Sequence, residues 1–122
     1  MSNSLKTLAL AGMFGVSGFL ASPAFAHAAL VQTNPAPNST VASPKEIRLT
    51  FSEKITPAFS GFGVSMSDGM TVKLTGRVAE DGKTIVGTPT GALMAGTWKV
   101  SWHATSTDDG HRTEGSFNFV VK

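Results

Sequence analysis

The sequence predicts an all-β fold, a Greek-key β-sandwich of about seven short strands. Three observations carry that prediction. Prolines at 35, 37, 44, 57 and 89, with glycines scattered among them, interrupt the chain too often for helices. Between the interruptions, apolar residues recur with a period of two. Asp-Gly pairs then stand where hairpins would turn.

The first thirty residues are different in kind. A polar start containing Lys6 leads into "LALAGMFGVSGFLASPAFA", which has no charge and ends on Ala24-Phe25-Ala26. A basic start, an apolar middle and a small-x-small end make a secretory signal peptide, residues 1–26, cut between Ala26 and His27. A retained membrane helix is the alternative, but Gly12, Gly15, Gly18 and Pro23 break the run. The mature domain is then residues 27–122, enough for one modest core. Losing Lys6 takes one unit from the full chain's formal charge of +2, so the pI of about 9.2 describes the precursor. The chain has no Lys/Arg cluster, which makes nucleic acid and anionic membranes poor partners. It also has no cysteine, so an exported domain must be held without disulfides.

In the mature chain, "NPAPNSTVASP" reads as a loop fixed by its prolines. In "EIRLTFS", Ile47, Leu49 and Phe51 share one face. "SMSDGMTV" and "AEDGKTIV" place Asp68-Gly69 and Asp81-Gly82 at hairpin turns. In "GTWKVSW", Trp98, Val100 and Trp102 align; in "GSFNFVVK", Phe117, Phe119 and Val121 do. Two antiparallel sheets packed on these aromatic faces make a sandwich. A small closed barrel satisfies the same alternation.

One segment carries chemistry. In "STDDGHRTEG", Asp109 and His111 are one residue apart, just before the last strand, and Gly110 lets the chain bend between them. Alone, such a pair is usually a surface acid beside a surface histidine. His27 changes the weight of that reading. As a mature amino terminus it offers an α-amine and a ring Nδ1 on one residue, able to close a chelate ring. Reference pKa values of about 7.7 and about 6.5 let both groups give up their protons to a metal near neutrality. With His111 and Asp109 the set is three nitrogens and an oxygen, which suits tetragonal Cu(II). Zinc, in tetrahedral geometry, is the competitor.

The mature sequence resembles the CopC family of periplasmic copper-resistance proteins, some fused to CopD-type membrane proteins. "HAAL", "NPAPNSTVASP", "IRLTFSEKI" with Phe59, "GTWKVSWHATSTDDGH" and "GSFNFVV" carry the resemblance. It implies an immunoglobulin-like Greek-key sandwich, cupredoxin-like in overall layout. It also implies one Cu(II) per mature chain, held by the amine and ring of His27, Asp109 and His111. Glu53, in the F-S-E segment, matches an outer glutamate near the copper. Two departures stand out. Met66, Met70 and Met94 are well separated, with no histidine among them, unlike the methionine-rich Cu(I) loop of some members, and Met66 and Met70 read better as packing groups. Asp108 and Arg112 replace a small residue and a proline, so Asp108 is a bystander, paired with Arg112 or left in water, or else the true ligand.

The remaining candidates read as structural. His103 falls on the face opposite Trp102, as a solvated strand histidine. Trp98 and Trp102 share a face with Val100 and read as core, not as a polysaccharide platform. The expected function is a monomeric periplasmic carrier that buffers Cu(II) or delivers it to a CopD-like inner-membrane transporter or another periplasmic copper protein. A histidine-brace copper oxidase or monooxygenase is the enzymatic alternative, and a metal-free interaction module the third.

Overall fold

The computed structural model describes residues 27–122, and the signal-peptide reading of residues 1–26 lies outside them. Among the described residues are nine strands: β1 Leu30–Asn34, β2 Thr40–Val41, β3 Ile47–Phe51, β4 Gly61–Met66, β5 Thr71–Val72, β6 Leu74–Val78, β7 Thr84–Pro89, β8 Gly96–Thr105 and β9 Arg112–Val121. Seven of these are five residues or longer, in line with the sequence reading; β2 and β5 have two residues each. The strands form two sheets, ordered β1-β3-β7-β6 and β2-β9-β8-β4-β5. That order, with the chain changing sheet at β1–β2, β2–β3, β3–β4, β5–β6 and β7–β8, is the layout of an immunoglobulin sandwich. The barrel alternative is thereby corrected, because the two ladders remain separate sheets.

The period-two faces meet between the sheets. Ile47, Leu49 and Phe51 of β3 are buried opposite Trp98, Val100 and Ala104 of β8 and Phe119 and Val121 of β9. Trp102 and Phe117 pack on this core but stay half-buried. The Trp102 ring meets Phe51 edge-on, centroids 5.3 Å apart at 66°, and covers Gly115, where an added Cβ would come within 2.7 Å of it. Trp98 is sealed off from solvent, its Nε1 donating to the Met94 carbonyl at 2.9 Å. Both tryptophans are therefore structural.

The two predicted Asp-Gly turns join β4 to β5 and β6 to β7, both antiparallel. Gly69 and Gly82 take φ of 94° and 72°, a left-handed region that favours glycine. The loop at 34–44 departs from its reading in one respect. Thr40 and Val41 pair with Val120 and Val121, and the pairing is parallel. The sandwich is thus not wholly antiparallel.

Candidate metal centre

Two segments far apart in sequence meet at one end of the sandwich. β8 runs into the loop 106–111, whose base is closed by backbone bonds from Ser106 to the His111 carbonyl (3.0 Å) and from Gly110 to the Ser106 carbonyl (2.9 Å). Asp109 turns the loop: its Oδ1 accepts the His111 amide at 2.9 Å, and Gly110 takes φ of 70°. One carboxylate oxygen thus aims the His111 backbone, on a residue that is exposed as a whole.

The amino-terminal segment arrives from the other sheet. The Ala29 amide donates to Ser52 Oγ (2.9 Å), and the Ser52 amide donates back to the Ala29 carbonyl (2.8 Å). Ala28 is buried, and its carbonyl accepts the Thr113 hydroxyl at 2.8 Å. His27 is consequently set against His111. Their rings stack with centroids 3.7 Å apart and planes 3° from parallel.

The electrostatics of the pair are readable at Asp109. Its carboxyl is held below the usual 3.8, chiefly by the His111 amide, against a smaller opposing push from partial desolvation. The Ser106 hydroxyl and then the charges of His27 and His111 act in the same lowering direction. Ser106 has a single hydroxyl proton, however, and it points to Glu53 Oε1 at 3.1 Å. The His111 amide is therefore the contact that matters for Asp109. An ionised Asp109 beside two imidazoles makes a site that favours cations.

The expected residues gather to different degrees. His27 and His111 touch, and Asp109 is bonded to the His111 backbone. Glu53 is half-buried and reaches the loop through Ser106, supporting the base of the loop rather than its rim. Among the described residues, no three His, Cys, Asp or Glu side chains stand as a ready cage for an ion. An ion lies in the plane of each imidazole that binds it, and stacked parallel rings share no such plane, so one ring must turn.

Several surrounding readings need correction. Asp108 does not pair with Arg112, which instead meets Glu114 at 3.4 Å, both well exposed. His103 is half-buried, with its ring over Gly61. Met66 packs against the core as expected, but Met70 and Met94 are exposed, at 40% and 57%. Ser52, Ser106 and Thr113 were not singled out in the sequence. Isolated hydroxyl residues carry no pattern until the strands that face them are known.

An immunoglobulin sandwich with His27 laid on a loop histidine defines a narrow class of domain. A CopC domain profile matches residues 30–122, and the chain belongs to that family. It is 40% identical over 126 residues to Copper resistance protein C of Pseudomonas syringae pv. tomato, covering 98% of this chain and 95% of that one. It is 32% identical over 125 residues to Protein YobA of Escherichia coli K12, covering all of both chains. Among solved structures, it resembles the crystal structure of PcoC, a methionine-rich copper resistance protein from Escherichia coli. There the TM-score is 0.74 at 37% identity, covering 80% of this chain and 100% of that one. The crystal structure of CopC from Methylosinus trichosporium OB3b matches with a TM-score of 0.72 at 30% identity, covering 79% of this chain and 94% of that one.

Proposed function

We propose that the chain is a periplasmic copper-binding protein that captures one Cu(II) at its processed amino terminus and buffers it or hands it on. The observation that carries this reading is the contact of His27 with His111, residues from opposite ends of the sequence. Cleavage after Ala26 frees an α-amine on a residue already beside a second imidazole. The amine and Nδ1 of His27 chelate the ion, His111 supplies a third nitrogen, and the carboxylate of Asp109 a fourth donor. Three nitrogens and a carboxylate fit the tetragonal preference of Cu(II). Glu53, through Ser106, holds the loop that presents Asp109 and His111.

The copper is cargo, and the arrangement favours handing it over. His27, Asp109 and His111 are all exposed, so a partner can approach the ion directly. A CopD-like inner-membrane transporter or another periplasmic copper protein fits that role, with this chain acting as a monomer. Binding rather than catalysis is favoured because a carboxylate takes coordination space that oxygen would need, and because Trp98 and Trp102 are committed to the core. Soft thioether ligands favour Cu(I), but Met66 is engaged in packing against the core.

Electron paramagnetic resonance of the processed protein with one equivalent of Cu(II) tests this. A tetragonal spectrum with nitrogen hyperfine coupling that includes imidazole is expected. A spectrum without imidazole coupling, or equal binding after His27 and His111 are both replaced, contradicts it.

A further inference from the structure

The terminal residue can act as a chelating arm only if its position is fixed, and the fold supplies the means. We propose that Ser52 and Thr113 are positioning residues: their hydroxyls clamp the segment Ala28-Ala29 so that the amino-terminal histidine is held against His111 for metal capture. The inference rests on the copper reading above, and it adds the part of the protein that builds the site.

β1 pairs with β3 in the four-stranded sheet, with Leu30 opposite Phe51. One step beyond that pair, the ladder continues through a side chain, the Ala29 amide donating to Ser52 Oγ at 2.9 Å. At Ala28 the chain leaves that sheet. Its carbonyl accepts from Thr113 of β9, in the five-stranded sheet, at 2.8 Å. Thr113 stands opposite Ala104, whose carbonyl lies 3.4 Å from the same hydroxyl. The segment therefore bridges the two sheets, one hydroxyl on each, with the Ala28 methyl buried between them. After cleavage at Ala26, only one residue lies beyond this anchor. Consecutive Cα atoms are about 3.8 Å apart, so fixing Ala28 confines His27 to a small arc. The stack on His111 falls within that arc. Holding the residue beside His111 before the ion arrives removes part of the ordering cost of binding and leaves a ring rotation to complete it.

The test uses the full chain expressed and exported, and the processed protein purified from the periplasm. In the metal-free protein, nuclear Overhauser contacts between the His27 and His111 rings report the clamp without copper. Thr113→Val keeps shape and loses the hydroxyl; Ser52→Ala loses the other hydroxyl at an exposed position, where folding tolerates the change; Thr113→Ser keeps the hydroxyl. Weakened ring contacts and Cu(II) affinity lower by about tenfold are expected in the first two, the size typical of groups that orient a metal ligand. Thr113→Ser should restore both. Should Thr113→Val fail to fold, Ser52→Ala decides. Three results overturn the clamp: unchanged ring contacts in Thr113→Val and Ser52→Ala, wild-type Cu(II) affinity where the contacts are lost, or losses that Thr113→Ser fails to restore. Absence of Cu(II) binding in the wild-type protein rejects the copper reading by itself, and the ring contacts then decide the clamp alone.

Discussion

Three Asp-Gly pairs in this chain share one geometry. The carboxylates of Asp68, Asp81 and Asp109 each accept the amide two residues on, at 2.8–2.9 Å, and the glycine between takes a positive φ. At the first two positions this makes a hairpin; at the third the amide belongs to His111. The same turn chemistry thus fixes the backbone of a histidine through the carboxylate two residues before it. Asp109→Asn keeps an acceptor for the turn, whereas Asp109→Ala loses turn and donor together. Competition titration with Cu(II) should therefore rank Ala as more damaging, by about tenfold or more, with Asn intermediate and Asp108→Asn near wild type. Asp81 also accepts the Thr84 amide and hydroxyl, and its carboxyl, like that of Asp109, lies below the usual 3.8. A depressed carboxyl adds stability that is fully present above 3.8 and lost as pH falls through the lower folded value. Urea midpoints followed into acid should fall over that window, and Asp81→Asn should flatten the fall. An unchanged profile would mean that these turns hold no differential protonation.

At the scale of strands, close approach between sheets matters as much as alternation. Gly87 of β7 lies under the Phe62 ring of β4, and an added Cβ would stand 2.5 Å from its Cζ. Gly87→Ala should cost about 1–3 kcal/mol of stability in urea unfolding, the usual price of overpacking. A smaller side chain at Phe62 should recover part of that loss, and a neutral Gly87→Ala would show that the ring can move aside freely. The strand faces at 47–51, 98–102 and 117–121 were legible in the sequence because burial on one side of a sheet imposes a period of two. β2 was not legible. Two residues have no periodicity, and their parallel partner lies at the far end of the chain. Met70 was misplaced for a related reason: the short β5 leaves the tip of its turn exposed.

At the scale of the whole molecule, the fold brings His27 and His111, far apart in sequence, into contact. His27, Asp109 and His111 could be named in advance because amine, imidazole and carboxylate have distinctive metal chemistry. Their support from Ser52, Ser106 and Thr113 could not, since it depends on which strands cross and where. The account requires that processing, not merely folding, completes the donor set. Intact mass of the exported protein should place the new terminus at His27; a chain beginning elsewhere would remove the amine and with it this mechanism. The most direct test blocks that amine. Cu(II) affinity, measured by competition at fixed pH, is compared between the processed protein, the same chain acetylated on His27, and Asp108→Asn. The account predicts that acetylation severely weakens binding while the sandwich stays folded and Asp108→Asn binds nearly as wild type. Acetylation that changes the affinity no more than Asp108→Asn does would contradict it.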